Sequence, residues 1–479
     1  MNETISARRV CQLVGDLPKG PAYASLADTL TLLVGDGRIP LGVRLPSERE
    51  LAGALGLSRT TVTRAYAALR DTGYARAAQG SGTFTAVPGG RERAHDRVLV
   101  AGGAGEGSID LSCAADSAPA EVMAAYAAAV SDLPAYLSGH GYFPSGLPVL
   151  QEAIAASYAA RGLPTDPAQI VVTPGALTAA SVVVRAFAPR HGHALVESPT
   201  YPNAAEMLRA SGLQLHEAAL DANGWDLPSI LDTVRQVRPD FAYLIPDFQN
   251  PTGALMSAAQ RERLAAQLRV HGTVAIVDET HHALALDGRH MPAPFAAFDP
   301  DAFTLGSMSK VFWGGLRVGW IRVPRPCVER VTRARMSLDL GVPVVEQLAA
   351  AHLLRQGPVS AGHLDRLRAQ RDALIDAVST QLPDWRFTPP TGGLALWCEL
   401  PHRGATALAA ALAHSQVFIS PGPVFSPSGG LDAFVRLPWS RPAAELRRAV
   451  DRIADAWSRM EGRDRAAAHD PDYARVIVA

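Results

Sequence analysis

Lysine is nearly missing from this 479-residue chain: only Lys19 and Lys310 stand against 43 arginines. Where a solvated positive charge is wanted, arginine serves. A lysine kept in mid-chain therefore suggests chemistry that a guanidinium cannot do, namely losing a proton and attacking an aldehyde. Cysteine is also scarce. Cys11, Cys113, Cys327 and Cys398 are scattered without metal-ligand spacing, so no metal site and no disulfide framework is expected. They read as reduced thiols of a cytoplasmic protein. No apolar run reaches the length of a membrane span, and residues 1–14 lack the apolar core of a signal peptide, so no membrane partner is expected. Charge of one sign is missing overall, with a net charge of −1, which excludes a uniformly basic coat. Residues 1–85 are the exception, with ten Arg or Lys against seven Asp or Glu.

What is present is a long chain, 48% apolar, enough for two or three domains with sizeable cores. From Ile109 onward, apolar strands alternate with helical segments. Ile170–Thr173, Ala194–Glu197, Phe241–Ile245, Val274–Asp278 and Phe303–Leu305 each end in a polar or glycine-bearing turn. The alternation predicts an α/β body with a mostly parallel sheet, whose ligands sit beyond the carboxyl ends of the strands. Lys310 lies just past the last of these strands, between small polar residues, with Arg317 seven residues on. It reads as a Schiff-base lysine; an ordinary surface lysine is the competing reading. Pro174-Gly175-Ala176-Leu177 is a strand-to-helix turn whose free amides suit a phosphate, or simply a turn. Asp278 ends a strand of apolar or small residues, a setting in which a carboxylate is either functional or a helix cap.

Residues 22–85 form a separate compact pattern. Leu26, Leu30 and Leu33 recur at helical spacing, and Ser47-Glu-Arg-Glu50 is a capping box. Ser58 caps a further helix that puts Val62, Ala65, Tyr66 and Leu69 on one face. Its other face carries Arg59, Thr60, Thr61, Thr63 and Arg64. Two short strands then flank a hairpin tip, Gln79-Gly80-Ser81-Gly82. This order predicts a winged helix-turn-helix. Residues 86–106 are Gly-rich and charged and read as a linker.

Two resemblances follow from these residues. Leu45-Pro-Ser-Glu-Arg-Glu-Leu51, Leu57-Ser-Arg-Thr-Thr-Val62 and Gln79-Gly-Ser-Gly-Thr-Phe84 resemble the GntR-type DNA-binding domain. The resemblance implies that Arg49, Arg59 and Thr61 contact double-stranded DNA, with Thr60 beside them. It also brings the Gly80–Gly82 wing tip toward the minor groove. Thr63 stands where that family often has an arginine. Ser307-Met-Ser-Lys310 with Arg317 resembles the lysine motif of fold-type I aminotransferases, which bind pyridoxal phosphate. By that resemblance Lys310 forms the internal aldimine, Ser307 and Arg317 hold the phosphate with Gly175 and Ala176, and Ser309 lies alongside. Tyr201 stacks on the ring, Asn250 reaches the 3′ oxygen, and Asp278 pairs with the ring nitrogen. Tyr142 reaches the phosphate of a neighbouring subunit, which implies a homodimer, and Arg436 grips a substrate carboxylate. His281 is a departure: aminotransferases commonly carry there a tyrosine whose hydroxyl touches the 3′ oxygen, so the resemblance places His281 among the cofactor-binding residues, and Leu177 replaces a glutamine frequent in related regulators.

The order of parts resembles the MocR family of pyridoxal phosphate-dependent regulators. It implies a DNA-binding domain over 15–86, a linker over 87–107 and an aminotransferase-like body over 108–458. A small α+β subdomain is expected from about 340, and a tail over 459–479. It also implies a transcription factor whose effector is a small amine or amino acid that displaces Lys310 to form an external aldimine. A working aminotransferase carrying a DNA-binding domain and an inert scaffold are the alternatives.

Overall fold

A computed structural model describes residues 4–78, 82–86 and 108–468, apart from residues 16, 18, 19, 36–38, 40, 41, 222, 223, 289 and 358. Lys19, Gly80, the expected linker 87–107 and residues 469–479 lie outside the described residues. The chain divides into two compact units, residues 1–99 with 117–127, and residues 100–116 with 128–479.

The first unit contains α1 (Ala7–Val14), α2 (Ala22–Gly35), α3 (Glu48–Leu55), α4 (Arg59–Asp71), β1 (Ala75–Ala78) and β2 (Gly82–Thr85). Local chemistry sets the helix ends. Ser47 and Glu50 cap α3 reciprocally, the Ser47 amide donating to Glu50 Oε2 at 2.9 Å and the Glu50 amide to Ser47 Oγ at 3.3 Å. Gly56, at φ 66°, ends α3 in the left-handed region, and Ser58 Oγ accepts from the Thr61 amide at 3.0 Å to start α4. Leu26, Leu30, Leu51, Val62, Ala65, Tyr66 and Leu69 form the core. Tyr66 buries its ring there and donates its hydroxyl to Pro46 O at 2.9 Å. Val10 and Val14 of α1 close the same core, so this unit begins before residue 15.

In the second unit the strands are β3 (Ile109–Leu111), β4 (Ile170–Thr173), β5 (His193–Ser198), β6 (Gln214–Asp221), β7 (Gly224–Trp225), β8 (Phe241–Leu244), β9 (Val274–Asp278), β10 (Phe303–Ser307), β11 (Gly319–Arg322), β12 (Ala395–Glu399), β13 (Val417–Pro421) and β14 (Phe434–Pro438). The large sheet has the order β4-β11-β10-β9-β8-β5-β6-β7. From β10 to β6 it is parallel, and β11 and β7 run antiparallel to their neighbours. Strands β4, β8 and β11 are buried at every residue, as expected of a sheet covered on both faces. Gly306 lies opposite Trp320, and a Cβ there would stand 2.2 Å from the indole, so only glycine seats that ring.

The smaller sheet has the order β12-β14-β13-β3. The subdomain expected from about residue 340 therefore recruits a strand from residues 109–111, which pairs in parallel with β13. Ile109 and Leu111 share its core with Leu396, Val435, Leu437 and Trp439. The closing helix, Ala443–Ala468, continues past residue 459 into the stretch read as a tail.

Candidate cofactor site and DNA-reading surface

Three strand ends lie in register just before Lys310. Ser307 closes β10 and pairs in register with Gly319, which pairs in turn with Thr173 at the end of β4. The turns after β10 and β4 therefore start side by side. Ser307 Oγ accepts from the Ser309 amide at 3.1 Å and donates to Val318 O at 3.4 Å, folding the chain so that Lys310 turns inward. Lys310 Nζ donates to Ala114 O at 2.8 Å. Burial lowers the Lys310 pKa, and the Arg436 charge adds to this, while Cys113 and Asp278 oppose it. An amine held in this way loses its proton more readily than a surface lysine, as a nucleophilic lysine requires.

The phosphate end is built around glycine. Gly175, at φ 115°, precedes the Ala176–Phe187 helix, whose first amides have no side-chain cap. Arg317 Nη2 donates to Pro174 O at 2.7 Å, and a Cβ on Gly175 would lie 3.0 Å from that nitrogen. A Cβ on Gly319 would lie 2.6 Å from the Gly175 carbonyl carbon. Ser309 Oγ is buried without a partner. An uncapped helix N-terminus, a planar guanidinium and an unpaired hydroxyl make a donor set that fits a phosphate dianion.

Asp278 closes β9, buried, with Oδ2 accepting from Tyr243 Oη at 2.7 Å and Oδ1 from the Thr280 amide at 3.0 Å. A carboxylate held by two donors suits a pyridinium N–H. Tyr243 belongs to the adjacent strand β8. Burial, and then the Asp278 charge, push its phenol well above the usual range, so it remains a donor. Sequence pattern alone did not point to Tyr243, which reads as one more apolar strand residue. Tyr201 begins the Pro202–Ala210 helix, half-buried, its hydroxyl accepting from Asn203 Nδ2 at 3.0 Å. Burial raises its pKa.

At the opposite end, Arg436 of β14 is 7% exposed. Its Nη1 donates to Asn250 Oδ1 at 3.0 Å, its Nη2 donates to Ser112 O, and its Nε is buried without a partner. The guanidinium stands 4.7 Å above the Phe425 ring, and burial brings its pKa down to about 10, still charged at neutral pH. Asn250 is positioned from below. Glu197, fully buried, accepts from Trp225 Nε1 at 2.8 Å, the Ile245 amide at 3.0 Å and Gln249 Nε2 at 3.0 Å. Gln249 Oε1 in turn accepts from the Thr252 amide at 3.0 Å, which shapes the Asn250-Pro251 turn. Burial raises the Glu197 pKa to about 7. Nothing in the sequence pattern marks Glu197, since a carboxylate inside an apolar strand shows its partners only when the sheet is assembled.

Ala114, Phe248, Asn250 and His281 line one cavity. His281 is 6% exposed, with Nδ1 3.2 Å from Phe248 O and Nε2 buried without a partner. Burial, with the Lys310 charge, lowers its pKa to about 3. Tyr142 is apart from this set. It is 57% exposed, stacked on His140 with ring centroids 5.6 Å apart, and among the described residues no hydrogen bond joins it to Lys310 or its neighbours.

On the first unit, Arg49 of α3 and Arg59 and Thr60 of α4 are exposed. Thr61 is half-buried and its hydroxyl is 2.8 Å from Ser58 Oγ. Thr63 donates to Glu48 Oε2 at 2.8 Å, and Arg64 stacks 3.7 Å over the Tyr23 ring, so both serve the fold. Gly82 begins β2. A Cβ there would lie 2.8 Å from Arg44 Nε, which places an exposed arginine beside the wing that the motif did not single out.

Comparison with known proteins agrees with this geometry. Residues 115–453 match the aminotransferase class I and II family, and residues 22–85 match the gntR family of bacterial regulatory proteins. The chain is similar to the 2-aminoadipate transaminase of Thermus thermophilus, 30% identical over 57% of this chain and 71% of that one. It is also similar to the pyridoxine biosynthesis transcriptional regulator PdxR of Corynebacterium glutamicum, 28% identical over 78% of this chain and 83% of that one. The probable rhizopine catabolism regulatory protein MocR of Rhizobium meliloti is 27% identical over 76% and 78%. Among solved structures, LysN from Thermus thermophilus, an alpha-aminoadipate aminotransferase complexed with N-(5′-phosphopyridoxyl)-L-leucine, superposes with a TM-score of 0.68 at 26% identity. That superposition covers 76% of this chain and 95% of that one. With a GntR-type reader joined to an aminotransferase class I and II body, the chain belongs to the MocR-type regulators, whose cofactor is pyridoxal phosphate.

Proposed function

We propose that this regulator recognises a small primary amine bearing a carboxylate, and that the exchange of that amine at Lys310 alters its grip on DNA. The observation that carries this reading is Arg436. A buried guanidinium with an unpaired Nε lies in the surroundings of the Lys310 amine, where an amino acid can offer its two ends to both. Pyridoxal phosphate supplies an aldehyde that condenses with amines and a ring that withdraws electrons. Lys310 would hold that aldehyde carbon, Asp278 the ring nitrogen, and Ser307, Ser309, Arg317 and the amides after Gly175 the phosphate. Arg436 orients the acid group bidentately. Arg44, Arg49, Arg59, Thr60, Thr61 and the wing at Gly82 face the duplex, and a homodimer with Tyr142 at the partner's site would space two such readers. An effector shifts the DNA-binding equilibrium only by its differential affinity for two states.

The test is a panel of amino acids and simple amines added to protein loaded with pyridoxal phosphate. Cofactor absorption is followed together with binding to a DNA fragment selected on the protein from a random pool. At least one carboxylated amine should move both signals together in wild type and neither in Lys310→Ala. If no amine changes either signal, effector sensing is wrong. Repeated turnover of an amino donor to a keto acceptor would mark a working aminotransferase instead.

A further inference from the structure

His281 is the polar group in this cavity whose hydrogen-bonding capacity the roles above leave open. Its Nδ1 lies 3.2 Å from Phe248 O, and a carbonyl oxygen only accepts, so Nδ1 carries the proton. In the neutral ring Nε2 is then an acceptor with no hydrogen. The ring is 6% exposed and Nε2 has no partner. A buried acceptor without a donor costs free energy, so Nε2 is placed to take a donor.

The chemistry of the cofactor says what completes it. The ring hydroxyl of pyridoxal phosphate is ortho to its aldehyde group, so with the aldehyde carbon on Lys310 Nζ, groups close to that nitrogen would also lie close to the ring oxygen. Lys310 Nζ touches Ala114 O, and Ala114 lines the same cavity as His281 and Asn250. Asn250 has its Oδ1 engaged by Arg436, which leaves its amide Nδ2 to donate. An anionic ring oxygen would satisfy Asn250 and leave His281 Nε2 facing a second acceptor. A hydroxyl satisfies both, accepting from Asn250 and donating to His281.

We propose that His281 is a positioning residue that accepts a hydrogen bond from the ring hydroxyl of the lysine-bound cofactor. It thereby keeps the shared proton on that oxygen rather than on the lysine nitrogen. The proton only changes place, so no other reactant is needed. A tyrosine in this position would donate and favour the opposite placement. The inference rests on cofactor attachment at Lys310 and deepens the sensing reading, because it sets the protonation state that an incoming amine meets.

The test uses the full chain loaded with pyridoxal phosphate at neutral pH, as wild type, His281→Tyr and His281→Phe. Absorption separates the two proton placements, the hydroxyl form lying in the near ultraviolet and the form with a proton on nitrogen in the visible. The ratio of visible to near-ultraviolet absorption is expected to rise about fivefold in His281→Tyr, the size carried by one net hydrogen bond. It should rise less in His281→Phe, which removes the acceptor without supplying a donor. Borohydride reduction and peptide mapping run in parallel. An unchanged ratio in both variants with a full complement of pyridoxyl on Lys310 overturns the role of His281 and leaves the sensing reading intact. No pyridoxyl on Lys310 in wild type overturns both.

Discussion

Replacing Arg436 with methionine separates recognition of a carboxylate from recognition of an amine. The guanidinium is 7% exposed, donates to Asn250 Oδ1 at 3.0 Å and to Ser112 O, and packs on Phe425. Truncating one partner of a buried, hydrogen-bonded charge pair costs about 2–5 kcal/mol. At about 1.4 kcal/mol per tenfold, affinity for a carboxylated amine such as L-alanine should fall at least ~30-fold. Ethylamine, which offers the amine alone, should bind with nearly unchanged affinity. The fold should survive. Asn250 Oδ1 and Ser112 O each lose a donor, at about 1–3 kcal/mol apiece, but a charge whose pKa burial has lowered is also removed. The assay is a titration of cofactor absorbance with each amine, alongside a thermal melt to show that the variant is folded. Equal loss for L-alanine and ethylamine, or no loss for either, would refute the assignment of Arg436 to the acid group.

Other outcomes follow from the same geometry. His281 has its pKa lowered to about 3 by burial, so below pH 6.5 the unfolded chain takes up a proton that the folded chain refuses. Stability should therefore fall with falling pH, by ~1 kcal/mol per unit more in wild type than in His281→Phe, as read from urea titrations between pH 6.5 and 5. Glu197, with its pKa raised to about 7, acts with the opposite sign throughout that window, and the comparison with the variant removes it. Arg59 is 72% exposed with only a 3.8 Å approach to Glu48, so Arg59→Ala should leave stability within experimental error. It should weaken DNA binding and make the salt slope shallower by ~0.9, one phosphate contact. Ser58→Ala removes the acceptor for the Thr61 amide and should destabilise α4 by ~1 kcal/mol, lowering the unfolding midpoint of the first unit by several degrees in a circular dichroism melt.

Much of this protein was legible from short-range pattern. The Ser47 and Ser58 caps, the apolar face of α4 and the strands ending at Thr173 and Asp278 depend on neighbours within a few residues, which the sequence displays directly. Lys310 stood out because the chain spends almost no other lysine, and Asp278 because a carboxylate ends an apolar run. The alternation of strands and helices pointed to the fold class, while the other candidate cofactor residues, Tyr201, Asn250, Ser307, Arg317 and Arg436 among them, came from the resemblance to aminotransferases.

Only the assembled structure decided which distant groups meet. Tyr243 reaches Asp278 because β8 and β9 are parallel neighbours, and Ala114 reaches Lys310 because β3, almost 200 residues earlier in the chain, joins the small sheet beside β13. The unpaired Nε2 of His281 and the pairing of Arg436 with Asn250 and Ser112 arise in the same way. Hydrogen bonds between residues far apart in the chain leave no periodic trace, since their geometry is fixed by sheet order and register. Local sequence thus set the elements and placed a lysine just past the end of β10, while tertiary packing set the proton and charge environment of that amine.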